Sequence, residues 1–127
     1  MLKIPVEQYL KDLAAFTWVQ THHHMSRADT NICLVKADPA LFFGVIAFNV
    51  NAATRYLKLY NTSVLPLAGS TPVARTIAIP PNSLVNVSFA SPALFDKGLA
   101  FSLTTGISDS SSASIAADDI VIDIAYR

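Results

Sequence analysis

The chain has 127 residues, of which 52% are hydrophobic and only 14% charged, about half the usual charged share of a globular chain. Nine Lys and Arg balance nine Asp and Glu, which disfavours a basic nucleic-acid binder, and the high hydrophobicity excludes an acidic disordered tail. A single cysteine excludes a disulfide framework, and the longest wholly apolar stretches, such as 41–48, fall well short of a membrane-spanning helix.

The length suits one ordinary domain. Zero net charge with so few ionisable groups favours association. The composition therefore points to apolar surface covered by another chain.

The N-terminus is expected not to be a secretory signal, because Glu7, Lys11 and Asp12 interrupt any apolar core. Together with the free thiol this fits synthesis in a reducing cytoplasm. Over residues 4–20 the apolar residues Val6, Tyr9, Leu10, Leu13 and Phe16 follow the i, i+3, i+4 spacing of an amphipathic helix. Pro5 suits its first turn and Glu7 its dipole. Trp18 and Val19 either extend the apolar side or begin an extended segment. A helix of about 15 residues is marginal alone, so it is expected to dock on its own domain or on another chain.

His22, His23 and His24 follow. Three consecutive histidines on a helix point about 100° apart, whereas on a strand only His22 and His24 share a face. The run admits three readings: a polar hinge, a metal or pH-sensing role, and the scar of an expression tag. The hinge reading divides the chain into an N-terminal helical arm and hinge, 1–26, and a β-sandwich domain, 27–127. An eighth strand within 17–26 is the other possibility for that stretch.

From Asn31 onward the helical period disappears. Short β-rich runs at 32–36, 41–49, 55–60, 73–79, 84–89, 99–105 and 120–126 alternate with turn clusters rich in Pro, Asn, Asp, Gly and Ser. The run 41–49 is apolar on both sides, as in a buried central strand. The run 120–126 alternates most cleanly, with Ile120, Ile122, Ile124 and Tyr126 against Val121, Asp123 and Ala125. Segments of helix length between strands are missing, so a parallel α/β sheet is disfavoured. The expected fold is all-β, an antiparallel β-sandwich of about seven to eight strands. Residues 106–114, rich in Ser, are expected to form an exposed loop.

Candidate chemistry is sparse. Cys33 lies in an apolar strand-like run and is read as a buried, inert thiol, the alternative being a reactive one. Asp109, Asp118 and Asp119 form either a solvated turn or part of a calcium site, but no Asp-x-Asp-x-Asp-Gly pattern supports the latter. Gly98-Leu99-Ala100-Phe101-Ser102 is not a nucleophile elbow, and four glycines leave little for a phosphate cradle. No enzymatic activity, cofactor or metal is expected. Tyr56, Lys58 and Tyr60 alternate with Leu57 and Leu59, so they form one face. That face either contacts sugar or protein, or packs under a loop or the N-terminal helix.

Several strings carry a family resemblance. Arg55–Asn61 (RYLKLYN), Thr71-Pro72-Val73, Ile77-Ala78-Ile79-Pro80, Gly98-Leu99-Ala100-Phe101, Thr104-Thr105-Gly106 and Ile120–Tyr126 (IVIDIAY) resemble strings in small virion proteins of tailed bacteriophages and prophages. Some of these are similar to capsid decoration, or cement, proteins with a jelly-roll-like sandwich. The resemblance spans 32–127 and leaves 1–26 outside it. It implies a structural virion protein on the capsid surface, binding the major capsid protein as a homotrimer, with neither nucleic acid nor membrane as partner and no catalytic residues. It also implies that the N-terminal helix packs across a neighbour or lies on the capsid floor. The candidate interface is then Val6, Tyr9, Leu10, Leu13, Phe16, Trp18, Tyr56, Lys58 and Tyr60. The alternative function is a tail-fibre or tail-tip module recognising a host surface glycan.

Overall fold

The computed structural model describes residues 5–8 and 19–127. Residues 6–8 are helical, within the helix expected over 4–20, but Val19 is not helical and Gln20 already begins a strand, so the expected helix does not reach 20; residues 9–18 lie outside the described residues. Eight strands follow: β1 (Gln20–Met25), β2 (Cys33–Lys36), β3 (Ala40–Asn49), β4 (Arg55–Asn61), β5 (Arg75–Ile79), β6 (Ser83–Phe95), β7 (Leu99–Thr104) and β8 (Ile120–Tyr126). They form two four-stranded sheets of order β1-β8-β3-β6 and β2-β7-β4-β5, here called sheet A and sheet B.

The pairing is nested. β1 pairs with β8, β2 with β7, β3 with β6 and β4 with β5, all antiparallel. β3–β8 and β4–β7 pairs complete each sheet. Successive strands inside the nest cross between the sheets, so the chain wraps as a folded ribbon, which is the eight-stranded jelly roll. The expected antiparallel sandwich is thus the observed fold, with β1 as the eighth strand. Residues 20–25 are accordingly part of the sandwich and not a hinge.

Alternation explains the core. Phe42, Val45 and Ala47 of β3 and Ile120, Ile122 and Ile124 of β8 point inward from sheet A. Leu57 and Leu59 of β4, Ile77 and Ile79 of β5, and Leu99, Phe101 and Leu103 of β7 meet them from sheet B. Arg75, at the margin of β5, stands over the Phe89 ring at 4.7 Å, closing the edge with its guanidinium face.

Turn residues match their positions. Asn31, Asn82 and Asp118 adopt φ of 55°, 50° and 59°, a region Asn and Asp tolerate better than other side-chain-bearing residues. Each stands one or two residues before the strand that follows it.

β6 is longer than the sequence pattern predicts. It extends past Phe89 to Phe95, because Ala93–Phe95 pair with Ala40–Phe42 after a register shift. Pro92 sits in the unpaired bulge of this edge strand, where its missing N–H costs no ladder bond. Opposite the bulge, Gly44 of β3 approaches β6 so closely that a Cβ would collide with the Val87 carbonyl and lie 2.9 Å from Ser88 Cα. The expected outcome for Gly44→Ala is a loss of about 1–3 kcal/mol of stability, since backbone must move to admit it. Denaturant unfolding of the variant against the parent checks this.

Candidate functional site

The two sheets differ in what covers their outer faces. On sheet B, Tyr60 and Lys58 of β4 and Ser102 and Thr104 of β7 point away from the core, yet all four are fully buried. The cover is the loop from β7 to β8. Lys58 Nζ donates to the Ser108 carbonyl, Thr104 Oγ1 donates to Gly106 O at 2.9 Å, and Thr105 N donates to Ala113 O at 3.2 Å. Beneath it the Tyr60 and Ser102 hydroxyls are hydrogen-bonded at 2.8 Å. The β4–β5 loop adjoins this cover, with Gly69 so close that a Cβ would lie 2.8 Å from Ser110 O.

The Tyr56, Lys58 and Tyr60 face is therefore not an exposed contact surface: of the two sequence readings, packing under a loop is the one observed. Tyr56 is half-buried and the other two have no solvent access. The Ser-rich run is mostly exposed along its length, as expected, but its backbone closes a polar layer. Burial pushes the Lys58 pKa below its ordinary value, while the Asp109 carboxylate acts in the opposite direction.

At the open edge between β1 and β2 the histidines alternate. His22 and His24 point inward, edge-on to Phe101 at centroid distances of 5.8 and 5.1 Å. His23 points outward and pairs with Asp123 at 2.6 Å. His22 Nε2 lies 3.5 Å from Cys33 Sγ, and His24 Nε2 donates to Asn31 Oδ1 at 2.8 Å. Burial, then the neighbouring His24 and His23, lower the His22 pKa; burial raises the Cys33 thiol, partly offset by Arg27. Both groups are thereby held neutral, which is the opposite of an activated Cys–His pair. Among the described residues no three His, Cys, Asp or Glu side chains gather around one point. Asp119 instead accepts from Asn51 Nδ2 at 2.6 Å, so it acts as a loop staple.

Sequence reasoning misses the residues that hold the sandwich ends. Ser26 is buried; its hydroxyl donates to Ala116 O at 2.9 Å and accepts from the Asp119 and Ile120 N–H groups, both at 3.0 Å. Asn49 is buried and donates to Ala53 O at 2.9 Å and Ile79 O at 3.0 Å, tying the sheets together. All the partners of Ser26 are distant in sequence, and the local part of Asn49's set, the Asn51 N–H donating to its Oδ1 at 2.8 Å and Ala53 O, gives no hint of its distant bond to Ile79.

Sheet A presents the contrast. Among the described residues no segment covers its outer face, and Ile46 and Phe48 of β3 are 47% and 40% exposed. The run apolar on both sides is thus central in its sheet, but the described residues cover it on one side only. Val6 is exposed; Tyr9, Leu10, Leu13, Phe16 and Trp18 lie outside the described residues. No helix among the described residues is long and apolar enough to cross a membrane.

No family model and no curated protein matches the chain. Among solved structures it is similar to the coat protein of Tobacco streak virus, at 11% identity over 99% of this chain and 90% of that chain, with a TM-score of 0.37.

The buried ammonium makes a pH prediction. Between the lowered Lys58 pKa and the ordinary lysine value near about 10.4, the unfolded chain binds more protons than the folded one. Stability therefore rises with pH across that window. Lys58→Met, which retains the side-chain length, is expected to abolish that rise; urea midpoints of both proteins from neutral to alkaline pH check it, and parallel curves would contradict it. A second prediction concerns the thiol. Alkylation of native Cys33 at neutral pH is expected to be slower than that of unfolded chain by about tenfold or more, because burial opposes the thiolate. The rate of adduct formation followed by mass spectrometry measures it.

Proposed function

We propose that the chain is a structural protein of a tailed-phage virion, a decoration or cement protein that docks on the assembled major capsid protein and is itself a homo-oligomer, a trimer being the form the family resemblance implies. The observation that supports this best is the nested eight-strand jelly roll, an architecture used by viral capsid domains, lectins and cupins alike. Architecture alone is an analogy, and the virion reading draws further on the strings quoted above and on the low charge. The role is non-catalytic.

The glycan-binding alternative draws on the Tyr56, Lys58 and Tyr60 face and on the Ser-rich loop; it loses the first, where Lys58 and Tyr60 are buried, and keeps only the exposed loop. In its place the β4–β5 loop offers a contact for coat protein. Val64, Leu65 and Leu67 are all exposed, while Pro66 between them is buried and anchors the loop. Leu67 is held by backbone bonds, its N–H donating to Thr71 Oγ1 at 2.8 Å and its carbonyl accepting from Ser70 and Thr71 N–H. An apolar tip on a fixed loop suits docking by shape and desolvation, with little electrostatic steering.

Co-sedimentation with capsids of the encoding phage tests the reading. The parent protein is expected to pellet with them. The Leu65→Asp, Leu67→Asp double variant is expected to lose binding by about tenfold or more with an unchanged melting temperature. A parent protein that stays in the supernatant at all concentrations sinks the proposal.

A further inference from the structure

The two sheets end in four edge strands, β1 and β6 in sheet A and β2 and β5 in sheet B. An edge presents unpaired backbone N–H and C=O groups, which natural sheets blunt with charge, Pro, bulges or brevity. Three of these edges are blunted. β1 carries His23, paired with Asp123. β2 has four residues, shifts register and ends on Lys36. β5 has five residues and begins on the exposed Arg75. β6 is blunted only towards its end, by Pro92 and the bulge. Its first nine residues, 83–91, include no charged residue, Pro or Gly, and β3 holds 83–88 in unbroken register.

The inward side of the same stretch is incompletely covered. Val85, Val87 and Phe89 pack against the core but are only half-buried. Phe42, Val45 and Ala47 of β3 and Ile120, Ile122 and Ile124 of β8 are at most 2% exposed. A strand added beside β6 would therefore cover apolar side chains as well as backbone groups.

The order of residues says which strand fits. About Val87 the polarity of 83–91 reads the same in both directions: Asn86 with Ser88, Val85 with Phe89, Leu84 with Ala90, and Ser83 with Ser91. An antiparallel partner runs backwards, so a second β6 centred on Val87 sets polar against polar and apolar against apolar at every position. We infer that the free edge of β6 pairs with β6 of a second copy across a two-fold axis at Val87, joining two A sheets into one continuous sheet. The inference rests on the homo-oligomer part of the reading above and gives it a two-fold contact, where the family resemblance implies three copies.

Such a contact is isologous and closes on itself. A strand from coat protein has no reason to match this order, whereas a second copy matches it by construction. Uncharged edges also bring no like charges face to face. Arg75 stands over Phe89, but the two Phe89 residues are four positions apart along the pair, about 13 Å, so the two guanidinium groups stand at opposite ends. Register places Met25, Val121, Phe48 and Leu84 in one apolar row across sheet A. Leu84, 63% exposed, ends that row, and in the pair it meets the second copy's Ala90.

The native mass of purified full-length protein tests this. The parent is expected to be a dimer. The Asn86→Lys, Ser88→Lys double variant sets lysines opposite one another at exposed positions. It is expected to weaken the dimer by about tenfold or more and to lower the native mass about twofold, to that of a monomer, with the parent's circular dichroism. Ile46→Lys, on the same outer face but on central β3, is expected to keep the dimer. Register is read by a short bismaleimide in a Cys33→Ser background. It is expected to join Leu84→Cys copies to Ala90→Cys copies, but not Leu84→Cys copies to one another, whose thiols lie six positions or about 20 Å apart. A monomeric or trimeric parent, a double-lysine variant that stays dimeric, loss of the dimer in Ile46→Lys, or Leu84→Cys copies joined to one another as readily each overturns the proposal. A trimeric parent leaves the homo-oligomer reading standing while this contact falls; a monomeric one removes both. Capsid co-sedimentation is measured separately, and its failure leaves the β6 contact standing.

Discussion

Leu57, Leu59, Ile77, Ile79 and Phe101 from one sheet meet Phe42, Ile120, Ile122 and Ile124 from the other, and the rest of the molecule depends on that contact. Neither sheet is stable alone with an apolar face in water. The nested pairing brings every inward face to the same layer. Once it forms, the outer faces become the places where the molecule has freedom, and it treats them differently.

On sheet B the freedom is spent inside the chain. β7 is buried along its whole length, and four residues of β4 are buried in succession. That cover demands polar satisfaction, because buried hydroxyl and ammonium groups are costly without partners. Ser102 answers Tyr60, and the Ser108 carbonyl answers Lys58. The Ser-rich loop thus has a structural task despite its exposed and polar sequence. Its short side chains let the backbone lie close to the sheet.

On sheet A nothing in the described chain plays that part. Low charge is the compositional trace of this asymmetry: an apolar row across four strands and an exposed apolar loop tip both reduce the polar share of the surface. The neutral His22 and Cys33 pair at the sandwich edge fits the same picture, since it fills space beside Phe101 and leaves no activated group.

Local pattern by itself determined seven of the eight strands, the all-β class and most inward residues, and left the eighth, β1, open. Period-two alternation settles which side chains share a face, so Ile120, Ile122 and Ile124, or Val85, Val87 and Phe89, were legible as sets. The alternation of His22 and His24 against His23 was legible too, once the stretch is extended. What only the tertiary structure decided is what each outer face meets. The Tyr56, Lys58 and Tyr60 face reads as amphipathic, and the face holding Ile46 and Phe48 reads as buried; in the described residues the first is covered and the second exposed. The reason is that coverage comes from segments far away in sequence. The loop over Lys58 begins about fifty residues downstream, and the staples at Ser26 and Asn49 reach across 94 and 30 residues. Alternation records the geometry of one strand, whereas burial is a property of everything that folds against it.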